Sequence, residues 1–573
     1  MPMLSQSSSE NTSKKPNVMR QNVISLLLSI VIIIALNMLG SRYFTRKDQT
    51  SEKRFTLTPA TRNLLRNLDD YVYFRVYLEG DFPAGFRRLR NQTREMLDEF
   101  RAWSDFVQYE FINPTVKGDW EATEDNYQML FSKGIQPTQV QVKAEDASSQ
   151  QIIFPGALVS FRGREIPVQL LQDQMGMASE NVLNNSAQAL EYNLATAIHK
   201  LTIEQKPRVA FLEGNGELEF RFVADITFSL EEFYEVERLQ IRGEVSALDG
   251  IQTLIVAQPR QPFSEADKFV IDQFVMRGGS VLWLVDPVYA SMDSLQVAPQ
   301  TLGMAWPVNL DDMLFRYGVR LNPDLIMDLQ AVPIPITTGF IGDRPQISLV
   351  PWFYFPFLRS ASNHPIVKNL NAVRGEFVST LDTVGAEQIR KTLLLQSSPY
   401  TRVVQTPARI SFDILQRQVD ETLFREGSKP VAVLLEGEFE SVFRNRRPPI
   451  AGLPPQFTVR QTGEPAKMIV VSDGDIIRNS FGNQGQPLPL GFDRFLNETF
   501  GNGDFILNAV NYLTDDRGIM EARAREIRLR LLDRSRVNQA RLQLQLVNVA
   551  LPVALVVLFG FVRFYLRRRK YAR

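Results

Sequence analysis

TLIVAQPRQPFSEADKFVIDQFVMRGGSVLWLVDP, residues 253–287, reads as a strand, a helix and a second strand without interruption. TLIVA and SVLWLV are short and almost wholly apolar, the pattern of strands buried on both faces of a sheet. Between them, Ser264 stands before Glu265-Ala266-Asp267, an N-cap serine with an acidic residue three places on. Phe269, Ile271, Phe274 and Val275 form the helix stripe, and Gly278-Gly279 closes it. Two strands joined by a helix of this length predict parallel neighbours with the helix crossing over one face.

Outward from this unit the alternation continues. RVAFLEG (208–214) predicts a buried strand, ADITFSLEEFYEVERL (224–239) contains a helix, and KTLLLQSS (391–398), PVAVLLEGEF (430–439) and KMIVVSDGD (467–475) predict further strands. Alternating short strands and amphipathic helices give an α/β fold with a doubly wound parallel sheet, assigned to residues 205–518. The stretch from Asp286 to about Arg390 (PIPITTGF, PWFYFPFL) is rich in proline and aromatic residues and is expected to be an irregular insertion. FILNAVNYLTDD (505–516) is a helix, and 519–545 reads as one charged helix.

Residues 42–204 form a second, N-terminal α/β domain. Thr58-Pro59 predicts an N-cap with proline in the first turn. YVYFRVYLEG (71–80) alternates as a strand, 86–104 repeats at helical spacing, and VQYEFINP (107–114) returns as a strand. Strands follow at 139–142, 151–161 and 166–171, and a helix runs from Ser179 to about Leu201.

The two ends of the chain are apolar. Residues 21–41 and 542–562 carry no charge and are each flanked by arginine (Arg20 and Arg42; Arg541 and Arg563). About 20 residues of helix cross a bilayer core. The expected layout is a leader at 1–20, spans at 21–41 and 546–562, and a basic tail at 563–573. Six of the tail's 11 residues are Lys or Arg and none is acidic, so both termini are expected on the cytoplasmic side and the body outside, in a periplasm. The apolar core from Val23 to Leu39 is longer than the apolar region of a cleaved signal, so the first span is expected to remain as an anchor. Asn37, Asn548 and Pro552 lie inside the spans; polar groups at that depth usually face protein, which marks them as candidate contacts with a partner.

Composition narrows the chemistry. There are 64 basic and 64 acidic residues, so no net field favours nucleic acid. There is no cysteine and there are two histidines, His199 and His364, which excludes thiolate chemistry and a multi-histidine metal centre. No G-x-x-x-x-G-K-[ST] occurs, so the chain carries no phosphate loop for ATP. No cofactor is expected, and an anchored hydrolase lacks a nucleophile–base pair.

Ligands of doubly wound sheets sit beyond the carboxyl ends of the strands. Glu213, Asn215 and Glu217 follow one strand, Asp286 another, and Asp473 and Asp475 a third. Together they define a candidate acidic crevice for a cation or polar ligand. The plainer reading is that the glycines make tight strand-to-helix turns and the Asp residues cap helices. His364 is expected to be structural or to lie at the surface, the arginines 444, 446 and 447 to lie on a solvated loop, and the aromatic run 352–355 to be either core or a partner surface.

RFTLTPATRNLLRNL, YLEGDFPAGFRRLRNQTREMLDEFRAWS, PFSEADKFVIDQFVMRGGSVLWLVDP, DMLFRYGVRLNPDL, VVSDGDIIRN and FGNGDFILNAVNYL resemble the gliding-associated ABC transporter auxiliary proteins of Bacteroidetes (GldG), from about Arg54 to Asp533. The resemblance implies a non-catalytic subunit, in one or two copies, beside a multispanning permease (GldF-like), a cytoplasmic ATPase (GldA-like) and membrane lipid. It also implies a glutamine-amidotransferase-like second domain; the enzymes of that fold use a cysteine nucleophile, which this chain lacks. The expected role is to cover the permease and bind cargo or relay motion, the alternative being a scaffold without a ligand.

Overall fold

The computed structural model describes residues 18–42 and 56–571, apart from 117, 145–146, 173–176, 204, 342–343, 417–418, 451–452, 454–456, 516–517 and 525–539. Two units emerge, Met1–Thr56 and Leu57–Arg573. The first contains one described helix, α1 (Val18–Arg42).

The second unit opens with α2 (Pro59–Arg66), whose Thr58 hydroxyl caps the Thr61 N–H as expected. β1 (Val72–Val76) buries Val72, Phe74 and Val76, α3 (Ala84–Trp103) crosses over, and β2 (Val107–Phe111) returns parallel to β1. α4 (Trp120–Ser132) precedes the hairpin β3 (Thr138–Ala144) and β4 (Ala147–Ile153). β5 (Gly156–Phe161) and β6 (Arg164–Gln169) complete a four-stranded sheet of order β2-β1-β5-β6. The run 151–161 is therefore two strands, divided at Phe154-Pro155. The helix expected over 179–201 is likewise two, α5 (Ser179–Gln188) and α6 (Leu190–Thr202).

The larger domain begins with β7 (Arg208–Glu213), α7 (Phe220–Glu231), β8 (Glu235–Gln240), β9 (Thr253–Ala257), α8 (Glu265–Met276) and β10 (Ser280–Leu284). The opening stretch of sequence folds as read, and the Ser264 hydroxyl caps the Asp267 N–H at 3.0 Å. The segment expected to be irregular is instead mostly β. It holds β11 (Val288–Tyr289), α9 (Met292–Val297), β12 (Gln300–Ala305), α10 (Asp311–Tyr317), β13 (Val319–Leu321), β14 (Asp324–Asp328), β15 (Ala331–Ile341), β16 (Arg344–Ser360), β17 (Val373–Arg374) and β18 (Leu381–Thr383). β19 (Arg390–Gln396), β20 (Thr401–Gln405), β21 (Ala408–Ser411), β22 (Pro430–Glu440), β23 (Thr462–Val471) and α11 (Asn502–Thr514) follow.

One ten-stranded sheet organises this domain, in the order β15-β16-β19-β22-β23-β10-β9-β7-β8, with β17 beside β16. β8, β7, β9, β10 and β23 are parallel, and from β22 to β15 every pairing is antiparallel. The sheet is thus mixed, not parallel throughout. Helices cover both faces of the parallel half: α8 packs over Leu254, Val256 and Trp283, and α7 and α11 over Ile255, Leu282 and Leu284. The aromatic run is core, with Trp352, Phe353, Tyr354 and Phe355 all buried.

Of the charged helix expected over 519–545, the described parts are α12 (Glu521–Ala524) and the helix Arg541–Gln545; most of the rest lies outside the described residues. A π-helical turn over Leu546–Ala550 joins Arg541–Gln545 to the helix Leu551–Tyr571. Pro552 has no N–H for the Asn548 carbonyl and its ring crowds that carbonyl, which accounts for the widened turn. Among the described residues, Arg541–Arg569 is long and apolar enough to cross a membrane, while a shorter apolar run, Val23–Ala35, lies within α1. These two helices suggest membrane anchoring.

Candidate functional site

Beyond the carboxyl ends of β9, β10 and β23 lies a cavity of about 410 Å³. Gln258, Arg260, Asp286, Tyr289, Trp306, Arg374, Glu376, Asp475, Arg478 and Asn502 are among its lining residues. The structure divides the six residues of the predicted crevice into two groups.

The first group turns away from the cavity. Glu213 pairs with Arg238 on the neighbouring strand β8. The Glu217 carboxylate accepts from the Asn215 N–H at 2.7 Å and from the Asn215 side chain at 3.2 Å. The Asn215 carbonyl accepts from the Arg260 and Gln261 N–H groups, both at 2.8 Å. These three residues build and pin the β7 loop, with Gly214 and Gly216 at φ 118° and 73°. None lines the cavity, and the crevice loses them as ligand groups.

The second group converges. One carboxylate oxygen from each of Asp286, Asp473 and Asp475 lies within 4.8 Å of the others. The reason is local: β10 and β23 are adjacent and parallel, so their carboxyl-terminal turns meet. Asp286 accepts from the Gly474 N–H and from Gln258 Nε2, the latter at 2.7 Å. Asp473, fully buried, accepts from the N–H groups of Glu376 at 3.0 Å and Asp475 at 2.9 Å. Asp475 pairs with Arg478 at 3.3 Å. Gly474 is required by this closeness: a Cβ there would stand 2.6 Å from Gln258 Cγ and 3.1 Å from Asp286 Oδ1.

The electrostatics follow from burial. Asp286 is pushed up to about 7, first by desolvation and then by the Asp475 charge. Asp473 is raised well above the carboxylate range by desolvation and by Asp286 and Asp475, and Glu376 is raised by desolvation. Arg374 bridges Glu376 at 2.8 Å and Asp493 at 2.9 Å. The donor set is all oxygen, the kind that suits a hard cation or a polar ligand. Each of the three aspartates already accepts a hydrogen bond from the protein: Asp286 from Gly474 and Gln258, Asp473 from two backbone N–H groups, and Asp475 from Arg478.

Sequence reasoning missed Gln258, Arg260, Arg374, Glu376 and Arg478. Arg374 and Glu376 arrive from the segment read as irregular, where no local pattern could place them. His364 is structural as expected: its ring lies edge-on to Tyr512 at 4.7 Å, and burial lowers its pKa to about 4. In the basic loop Arg444 pairs with Glu440 at 2.7 Å, and Arg446 and Arg447 are exposed. Asn37 and Asn548 are exposed on their helices.

Residues 206–509, just over half of the chain, match the family described as ABC-type uncharacterized transport system (ABC_transp_aux). The chain belongs to this family. It is an auxiliary component of an ABC-type transport system, and the matched span contains every residue of the cavity named above. Residues 51–160 match a domain of unknown function, DUF7088. The auxiliary component has a relative in Borreliella burgdorferi (strain ATCC 35210 / DSM 4680 / CIP 102532 / B31), described as an uncharacterized protein. It is 21% identical over 561 residues, 96% of this chain and 98% of its own. Among solved structures, the mmIFT52 N-terminal domain is similar at 13% identity over 56% of this chain and 100% of its own, with a TM-score of 0.30. The exo-beta-1,4-mannosidase Op5Man5 from Opitutaceae bacterium strain TAV5 is similar at 10% identity over 67% and 45%, with a TM-score of 0.16. Both scores are too low to carry an argument.

Proposed function

We propose that this chain is a non-catalytic, membrane-anchored extracytoplasmic subunit of an ABC transporter associated with gliding motility or envelope export, as in the gliding-associated auxiliary proteins it resembles. The family match over residues 206–509 carries the reading. The apolar helices at either end of the chain support anchoring. ATP hydrolysis is assigned to a separate cytoplasmic ATPase, because the sequence holds no phosphate loop. The pore is assigned to a separate multispanning permease.

In this reading the apolar helices pack on the permease. Asn548 and the widened turn before Pro552 are the polar face offered to it, and Asn37 offers the same on α1. The body covers the permease on the outer side and relays motion or holds a polar cargo group in the cavity beyond β10 and β23. The resemblance to the gliding-associated proteins implies an amidotransferase-like scaffold for this domain, without the cysteine that chemistry would need.

Purification of the tagged full chain from native membranes in mild detergent tests the proposal. A permease and an ATPase should co-purify at fixed ratio. Recovery of the chain with neither, under conditions that preserve other ABC complexes, would overturn it.

A further inference from the structure

The four-stranded sheet of order β2-β1-β5-β6 ends at β6. β6 runs antiparallel to β5, and in such a pair successive residues turn their backbone groups alternately toward the neighbour and away from it. Leu170 fixes the phase: its N–H donates to the Pro155 carbonyl at 2.8 Å, one step beyond the Gly156–Gln169 pair. Counting back by two, Val168 and Ile166 bond to β5, while Gln169 and Pro167 turn outward. Gly156 agrees, because its carbonyl accepts from the Tyr77 N–H at 2.9 Å, on the side away from β6. Pro167 agrees too, since it has no N–H to give and proline belongs on such an edge. Among the described residues, nothing bonds to the Pro167 carbonyl or to the backbone N–H and C=O of Gln169.

This edge opens into a cavity of about 460 Å³. Four consecutive residues, Ile166 to Gln169, line it; side chains alternate between the faces of a strand, so all four meet the cavity because it lies edge-on to β6. Five asparagines also line it: Asn193 on α6, Asn369 and Asn371 before β17, and Asn508 and Asn511 on α11. A side-chain amide carries the same kinds of donor and acceptor as a peptide bond. Two polar atoms of α6, Asn193 Nδ2 and Thr196 Oγ1, are buried there with no hydrogen-bond partner among the described residues. A buried donor left unpaired is costly, and a ligand that supplies acceptors removes the cost. Tyr192, Phe233 and Leu507 add apolar wall. The volume is that of a site for a small ligand or a few residues of chain.

We propose that this cavity is a docking site for an extended peptide segment of a partner protein, which adds a short strand to β6. One peptide residue exchanges both backbone bonds with Gln169, and another donates its N–H to the Pro167 carbonyl. The asparagines serve the peptide groups turned away from β6, which a single added strand would otherwise leave unpaired. Pro167 keeps the pairing short and prevents the edge from templating a longer sheet. Side chains that meet Tyr192, Phe233 and Leu507 supply the selectivity. The site shares no lining residue with the cavity beyond β10 and β23 and does not depend on what binds there.

To test this, phage-displayed random hexapeptides are selected on the full chain in lipid nanodiscs, with empty nanodiscs as counter-selection, and the enriched peptide is synthesised. Its binding should slow amide exchange at Gln169. N-methylation of single backbone positions should weaken binding about tenfold at two or more residues. Gln169→Pro removes the outward N–H and leaves the β5–β6 bonds in place, and Asn193→Leu removes the orphaned amide; each should weaken binding about tenfold as well. The N-methyl series uses the wild-type chain, so a variant that fails to fold leaves the test intact. Failure to enrich any peptide, unchanged affinity across the N-methyl series, or exchange protection that spares Gln169 would overturn the proposal. Binding of maltohexaose with no peptide enriched would overturn it too, by assigning the amides to sugar hydroxyls. Failure to recover a permease in the purification above leaves either result standing.

Discussion

Asp286 sits where an ionised carboxylate is expensive, against Asp473 and Asp475 and beneath Gln258. Its pKa of about 7 stands above the usual carboxylate value, so the folded protein holds this proton more tightly than the unfolded chain. The stabilisation that follows is present at pH 4 and is lost as pH rises toward 7. The Asp475 charge reinforces the shift, and the Gly474 N–H, Gln258 and Arg260 oppose it. Asp286→Asn removes the titration and keeps the shape, so it should raise the urea midpoint relative to the wild type at pH 8, with the gain shrinking toward pH 4. His364, whose neutral form is favoured by burial, acts in the opposite direction below pH 6.5, but equally in both proteins. Equal midpoint differences at the two pH values would refute the tightly held Asp286 proton. At the neighbouring position, Gly474→Ala forces a methyl group against Gln258 and should cost about 1–3 kcal/mol in the same assay. The aspartates were legible in the sequence because each follows an apolar strand. Glu376 and Arg374 were not, since only the tertiary fold delivers them.

At the scale of elements, the strands that were missed share a cause. EVERLQ, which forms β8, is charged at Glu235, Glu237 and Arg238 and looks helical, but it is the last strand of the sheet. An edge strand is paired on one side only and tolerates charge on its open side. β15 ends the sheet at the other margin and carries Pro333 and Pro335, residues that mask a strand in sequence and that an edge accepts. The central strands β7, β9 and β10 and the inner halves of β22 (431–435) and β23 (468–471) were readable because burial on both faces leaves them almost purely apolar. α8 shows how such elements are fixed. Its Asp272 is fully buried and accepts from Ser441 Oγ at 2.7 Å, the Val442 N–H at 2.9 Å and the Tyr317 hydroxyl at 2.8 Å. Asp272→Ala strands three donors at once and should destabilise the large domain by about 3 kcal/mol or more. Tyr317→Phe, which orphans one bond only, should cost about 1–2 kcal/mol. Similar losses for the two variants in denaturant unfolding would show that the carboxylate does not organise this corner.

At the scale of the whole molecule, the apolar helices near the two ends suggest membrane anchoring, and the proposed orientation of the body rests on the tail. Arg567, Arg568, Arg569 and Lys570 extend the Leu551–Tyr571 helix past its apolar part, a charge cluster that resists translocation. The body has no comparable asymmetry, and long domains cross largely regardless of charge. The absence of cysteine makes the test direct, because each introduced thiol reports one position. Asp249→Cys, on an exposed turn of the large domain, should react with a membrane-impermeant maleimide added to intact cells with a permeable outer membrane. Ser5→Cys in the leader and Ala572→Cys in the tail should react only after the inner membrane is broken. Labelling of Asp249→Cys and protection of the other two would fix the body outside and the termini inside. The reverse pattern would place the body beside the ATPase rather than over the outer mouth of a permease. It would then refute the extracytoplasmic reading while leaving membership of the transport family untouched.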